Sequence, residues 1–476
     1  MLMRQLDQPP IATRSAIPNA RPGSEYPASM QVGPLRQLSP STSTSTSPLT
    51  STIALSALGA VLGGAAAAAI VVATMQALKL MLATVSSQGA WVLVIAPLSG
   101  LALAVLVLYG FGLSAEASNS RRSRWAAAWR SFPPRAARAD LTGDVVEFAG
   151  EEERLPWRLA VIRLVAIYAT VGMGAAMGTE APAAYLGEAT GSALGTRWHR
   201  IARPAAVGGA AAGVAALIGI PLVGAAYILE LGRRKRAPFN VERVTAALAG
   251  GLVGWFLHVS LGVDLLRIVV PKEPPHSIYQ AIVTALLIGV LSGSITSIAG
   301  ATIYRAKGWQ ANPTVRLAVG GLVLGVDVAL LALIAAPSAA IGPGGGAITW
   351  VENTHASALT VLAVALLRAA ATTSSAAAGG CGGLFVPYLA IGDLGGRVFA
   401  VWLGVPSDLA GAAGAAAGIS GGYHLPLTAI ALVLGQGGPV PAMLTCLATV
   451  VVAGYAGTCA AWLVDQVLPC SPHYSV

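Results

Sequence analysis

Charge is scarce in this chain. Asp, Glu, Lys and Arg make up only 10% of its 476 residues, against about a quarter in an ordinary soluble domain. So little charge cannot cover a water-facing surface. Acids are the scarcer sign, 20 against 29 basic residues, for a formal net charge of +9. In a soluble protein such an excess would suggest nucleic acid. Here it gathers in polar stretches between apolar runs: Arg121, Arg122, Arg124, Arg130, Arg135 and Arg138 in one, and Arg233, Arg234, Lys235 and Arg236 in another. That pattern fits cytoplasmic loops of a membrane protein, with no nucleic-acid partner. Cysteine is rare too. Cys381, Cys446, Cys459 and Cys470 form no CxxC and no metal-ligand spacing, so no metal, cofactor or redox centre is expected. HExxH, GxSxG and paired-histidine spacings are also missing. No catalytic residue is expected, and an intramembrane enzyme is disfavoured.

What the chain has is apolar length and glycine. Hydrophobic types reach 55%, and there are 56 glycines, which suits helices that face lipid and pack closely on one another. Residues 1–50 are rich in Pro, Ser and Thr and lack the apolar core of a cleaved signal peptide, so they read as a disordered cytoplasmic tail. Apolar runs follow near 52–80, 91–113, 159–177, 204–231, 244–270, 281–303, 315–336, 358–378, 384–402, 409–434 and 442–464. A membrane span needs about 20 such residues. Several runs are long and broken by glycine, which predicts tilted, kinked or half-spanning helices. The expected fold is therefore all-α: a multi-pass protein of the cell membrane, surrounded by lipid bilayer. No soluble domain is expected after the last run.

The sequence also repeats itself at an offset of 205. Gly178-Thr179-Glu180-Ala181-Pro182, with Gly187 and Gly191, maps onto Gly383-Leu384-Phe385-Val386-Pro387, with Gly392 and Gly396. Residues 210–213 map onto 415–418, and Pro221-Leu222 onto Pro426-Leu427, without a gap. Matches of Ala and Gly are cheap in this composition; paired prolines in register are not. Weak internal repeats mark transporters built from inverted halves, with the substrate site at their interface. The halves are expected at 51–240 and 241–476.

The two motifs suit an anion. A helix N-terminus offers several unpaired N–H groups and about half a positive charge. Pro182 and Pro387 suit a first helical position, where the missing N–H costs nothing. Gly178 and Gly383 allow a sharp turn and a close approach to a ligand. The carboxylate of Glu180 falls where the N–H groups converge. It could occupy the anion position itself and leave when protonated. Acidic first turns are common, but an intramembrane carboxylate points to function.

At these residues the chain resembles the CLC family of chloride channels and proton/chloride exchangers. The second motif matches that family's G-x-F-x-P in full. The first keeps Gly178, Glu180 and Pro182 of G-[KR]-E-G-P, with Thr179 and Ala181 at the varied positions. Arg368, Thr372, Thr373 and residues 344–348 extend the likeness, which covers roughly 55–476. The resemblance implies an inverted-repeat CLC-like fold and a homodimer with one pathway per subunit. It implies chloride or a similar small anion as cargo, with protons as possible co-substrates. Glu180 then matches the gating glutamate. Gly178, Thr179, Ala181, Gly383, Leu384, Phe385 and Val386 form the anion-binding backbone. The family's serine hydroxyl matches Thr142 in Leu141-Thr142-Gly143, with Gly110-Phe111-Gly112 as a rival that has no hydroxyl. The family's pore tyrosine matches Tyr474. The family's second glutamate aligns with Leu231, leaving Glu230 as the proton-path candidate. Successive helix positions lie about 100° apart, so Glu230 is no simple substitute. No specific role is assigned to Asp327 or His424. Proton-coupled exchange gated by Glu180 leads; a passive gated chloride channel is the alternative. A cation/proton antiporter is disfavoured, because Phe385 stands where a second acid would be needed.

Overall fold

A computed structural model describes residues 48–117, 140–150, 155, 157–234, 237, 239–262, 277–436 and 441–468. The 1–50 tail up to residue 47, the arginine stretch at 121–138, and Tyr474 lie outside the described residues. What is described is helical, with one isolated β-bridge. Among the described residues, eight helices are long and apolar enough to cross a membrane. Large side chains such as Leu80, Trp91, Leu106 and Leu333 lie bare on their outer faces, as lipid contact requires.

In the first half, α1 is Pro48–Ser86 and α2 is Ala90–Ala117. The short α3 is Leu141–Gly150, and α4, Trp157–Ile167, runs into a π turn at Tyr168–Gly172. Then come α5 (Glu180–Gly195), α6 (Ala202–Ile218) and α7 (Pro221–Arg234); α8 (Val241–Leu261) opens the second half, expected at 241–476. The second half also holds α9 (Ile278–Lys307), α10 (Pro313–Ile334), the short α11 (Pro337–Ala340) and α12 (Gly345–Asn353). It continues with α13 (Ala358–Ala377), α14 (Phe385–Leu403), α15 (Ser407–Tyr423), α16 (Pro426–Gln436) and α17 (Pro441–Val467). At 39 residues, α1 is about 58 Å long, nearly twice the apolar thickness of a bilayer, so it cannot stand upright within it.

The runs at 204–231 and 409–434 are each two helices, not one. Gly219 (φ 78°) ends α6 and His424 (φ 53°) ends α15, both left-handed. Pro221 and Pro426 then start α7 and α16. A proline disfavours helical backbone at the residue before it, so each run must break there.

The 205 offset is visible in three dimensions. Helices α5, α6 and α7 begin at 180, 202 and 221; α14, α15 and α16 begin at 385, 407 and 426. A methyl added at Gly187 would lie 2.3 Å from the Gly209 carbonyl oxygen, and one at Gly392 would lie 2.3 Å from that of Gly414. Both halves thus pack corresponding helices, α5 on α6 and α14 on α15, backbone to backbone through the same pairs of positions.

The directions are opposite. The ends of α2 and α9 line one vestibule, through Val105, Tyr109 and Lys307. A tight turn joins α1 to α2, so α1 starts on that vestibule side. Gly59, near the start of α1, meets Ile201 and Pro204, so α6 also starts there and runs away. Helix α15 does the reverse, ending in the vestibule with Tyr423 and His424. The repeat is inverted.

Candidate functional site

Two glycines fasten the halves together at the centre. Gly178 N–H donates to the Gly383 carbonyl at 2.7 Å, and Gly383 N–H donates to that of Gly178 at 2.8 Å. This reciprocal pair is the antiparallel bridge between the two motifs. It brings the first turns of α5 and α14 to a common point.

The Glu180 carboxylate lies at that point. It is fully buried, and its Oε1 accepts the Phe385 N–H at 2.5 Å. The acid of one half therefore occupies the N-terminus of the other half's helix. A fully buried carboxylate is costly unless N–H groups or positive ends meet it. Methyls built on Gly178 and Gly383 would lie 2.3 Å from Glu180 Oε2 and 2.1 Å from Oε1. Neither glycine has a positive φ. Their reason is therefore not a sharp turn, as the sequence suggested, but the space the carboxylate fills.

The prolines also differ from expectation. The helices start at Glu180 and Phe385, so Pro182 and Pro387 stand third, not first. The physical reason survives, because the first four N–H groups of a helix have no intrahelical partner. The outer helices α8, α9, α10 and α13 are capped by side chains of Asn240, Ser277, Asn312 and Ser357. Thr179, which precedes α5, makes no such cap bond, leaving the N–H groups of that first turn for another acceptor.

Around the site the loops are braced. Thr170, in the π turn, accepts the Cys381 N–H at 3.0 Å. Gly342 N–H donates to the Gly174 carbonyl at 2.8 Å. Buried Arg368 donates to the Gly342 carbonyl at 2.6 Å, so this motif residue holds a loop. Thr372 and Thr373 bond back to the carbonyls of Arg368 and Ala369.

Thr142 lies in the first turn of α3, its hydroxyl 2.6 Å from that of Tyr423. The Tyr423 hydroxyl is also 3.3 Å from that of Tyr227. Phe385 meets both rings edge-on, with centroids 5.9 Å from Tyr227 and 6.4 Å from Tyr423. Beyond this cluster the vestibule opens, a cavity of about 960 Å³ bounded by Leu384, Tyr388, Tyr423 and His424 at its inner end. Tyr423, whose hydroxyl meets that of Thr142, and Leu384, which precedes the start of α14, thus share the vestibule wall. The rival segment 110–112 lies within α2.

With this geometry in hand, sequence comparison is decisive. The profile of the voltage gated chloride channel family matches residues 125–458, more than two thirds of the chain. The chain belongs to that family. Among curated relatives in the family, it is 27% identical over 350 residues to the H(+)/Cl(-) exchange transporter ClcA of Cronobacter sakazakii, covering 69% of this chain and 73% of the relative. It is 25% identical over 337 residues to the ClcA of Yersinia pestis bv. Antiqua, covering 66% and 69%. Its fold is shared with a slow cyanobacterial Cl-/H+ antiporter, at a TM-score of 0.63 and 21% identity, over 87% of this chain and 98% of that one. A CLC-type fluoride/proton antiporter matches at 0.60 and 20%, over 90% and 99%. The chain is a multi-pass integral protein of the cell membrane with the CLC fold.

Within that fold, reasoning from sequence missed Tyr423, Tyr227 and Tyr388. One signal was available: Tyr423 closes a helix otherwise made almost wholly of Ala, Gly and Ser, against Ile218 at the repeat-related position. Glu230, near the end of α7, lies against the start of α16. Its two oxygens accept the Leu427 and Thr428 N–H groups, each at 2.7 Å, and the Thr428 hydroxyl at 2.5 Å. Leu231 is fully buried. Asp327 accepts a long bond from the Ser374 hydroxyl at 3.5 Å. Also unforeseen was the fully buried ion pair of Arg163 and Asp144, with the guanidinium 5.0 Å from the Tyr185 ring centre.

Proposed function

We propose that this protein exchanges chloride-like anions for protons across the cell membrane, as a homodimer with one pathway per subunit. Glu180 is the gate. The carrying observation is the Glu180 carboxylate seated on the Phe385 N–H, where a permeant anion would gain the same hydrogen bond and the same helix-end potential. An anion and this carboxylate cannot share the place, so transport requires the carboxylate to leave. Protonation removes its charge and weakens its hold on the donors. The backbones of Gly178, Thr179, Ala181, Gly383, Leu384, Phe385 and Val386 then frame the anion. Thr142 contributes a hydroxyl. Tyr423 takes the part that the sequence resemblance gave to Tyr474.

The Thr142–Tyr423 hydroxyl pair forms the inner door in this reading, since an anion coming from the vestibule must part it. The names of the ClcA relatives and of the two antiporters support coupled exchange over a passive channel. Glu230 would have to give up three hydrogen bonds to carry a proton, so the proton route cannot run through it while α16 stays capped. Proteoliposomes loaded with chloride, with pH recorded alongside, test the whole proposal. A chloride gradient should drive uphill proton movement, and Glu180→Gln should stop it while chloride still passes. Chloride flux without proton movement in the wild type would make this a passive channel.

A further inference from the structure

His424 sits where the backbone favours glycine. It is left-handed at φ 53°, and its mate across the repeat is Gly219, at φ 78°. A side chain in that region is disfavoured and persists only where the surroundings hold it. Strained residues of this kind cluster at working sites. The place itself is telling. His424 directly follows Tyr423 and faces the vestibule, with Nε2 3.8 Å from Asp465 Oδ2 on α17 and the side chain 30% exposed.

Other charged and titratable groups face the same vestibule: Tyr109 from α2, Asp140 ahead of α3, Tyr304 and Lys307 from α9, Arg316 from α10 and Tyr388 from α14. Most are engaged or titrate far from neutral. Lys307 bonds Asp140 at 3.0 Å, and Arg316 bonds the Ala377 carbonyl at 2.9 Å. Tyrosine as a residue type gives up its proton only near pH 10. Of the residue types present, imidazole alone ordinarily changes charge between about pH 5 and 8.

We propose that His424, braced by Asp465, is the group that takes up protons from the vestibule and feeds them toward Glu180. This rests on the exchange reading above. The imidazole accepts a proton from vestibule water and becomes a cation facing the Asp465 carboxylate. When the Thr142–Tyr423 door parts, it gives the proton up along the opened path to the Glu180 carboxylate and returns to neutral. No other bond is made or broken. The left-handed backbone aims the ring into the vestibule at the end of the helix that supplies the door.

Two variants test this without endangering the fold. His424→Gly installs the residue found at the repeat mate and relieves the strain; His424→Asn keeps a polar side chain that tolerates the left-handed region. In proteoliposomes, both should lower the protons moved per chloride by about a hundredfold, the lower end of what a positioned proton-transfer group contributes. Thermal midpoints in detergent should not fall. Wild-type proton movement should decline as vestibule-side pH rises through the imidazole range, and the variants should lose that dependence. An unchanged proton-to-chloride ratio, or a wild-type profile flat through that range, overturns the role of His424 and leaves the exchange reading standing. A wild type that moves no protons overturns the exchange reading itself, and this inference with it.

Discussion

Gly383→Ala is the sharpest test of the central geometry. The added methyl would lie 2.1 Å from Glu180 Oε1 and 2.9 Å from the Ala181 nitrogen. Oε1 marks the place where an acceptor meets the Phe385 N–H. Non-bonded heavy atoms approach to about 3.5 Å, so any acceptor there must retreat by over an ångström. That breaks a hydrogen bond to a charged group, worth about 1.5–3 kcal/mol. Anion affinity should fall by roughly 10- to 150-fold, at about 1.4 kcal/mol per factor of ten. Because Gly383 has no positive φ, alanine brings no φ/ψ penalty of its own, and its close contact with the Ala181 nitrogen falls on the same helix start. The measurement is bromide titration by calorimetry in a Glu180→Ala background, where no carboxylate competes. Leu384→Met is the control, since Leu384 would act through its backbone and should change affinity less than about threefold, within the spread of a volume-conserving swap. Parental affinity in Gly383→Ala, or an equal loss in Leu384→Met, would refute coordination at this helix start.

Further outcomes follow from the same contacts. Glu180→Gln and Glu180→Ala should both pass chloride with little pH dependence, read as efflux from proteoliposomes; retained pH dependence in Glu180→Ala would move the gate elsewhere. In the wild type, protonation opens the gate, so efflux should rise as pH falls. Thr142→Val should loosen the inner door by about 0.5–1.5 kcal/mol, the worth of one hydrogen bond, and Tyr423→Phe by at least as much, since its hydroxyl also meets that of Tyr227; the double variant should match Tyr423→Phe, and additive effects would show that the hydroxyls act separately. Glu230→Gln should destabilise α16 by about 1 kcal/mol, as loss of an N-terminal cap does, seen as a lower thermal midpoint in detergent. Cysteines introduced at Arg233 and Gln310 should be labelled from the cytoplasm and one at Gln88 from outside, because the basic segments mark the inside; Arg233 is exposed whereas neighbouring Gly232 is buried.

Much of the core was legible from spacing alone. The 205 offset carried both glycine motifs, both later prolines and the seat of Glu180, because each depends on backbone placement, which a gapless repeat preserves. Four things were not legible. The role of Gly178 and Gly383 depends on a carboxylate lying against their α-carbons, which only the fold reveals. Pro182 is two residues further into its helix than expected, since Glu180 already has helical backbone and nothing in GTEAP marks the first turn. The contact of Tyr423 with Thr142 was not legible either, because it joins residues 281 apart in sequence; Tyr474, to which the resemblance pointed, lies outside the described residues. The cap that Glu230, the proton-path candidate, makes on α16 was not legible, because its partners, Leu427 and Thr428, are nearly 200 residues away in sequence.

The reciprocal bonds between Gly178 and Gly383 have a mechanical consequence. The spacing of the two helix starts is set by peptide dimensions at the bridge, not by the reach of the long outer helices. Helices such as α1 must tilt to suit the hydrocarbon thickness they meet, and they tilt differently in thin and thick membranes. The centre stays in register, like the pinned pivot of a pair of shears whose handles move freely. Anion affinity should therefore vary little among lipids of different chain length, while the rate of opening varies with them.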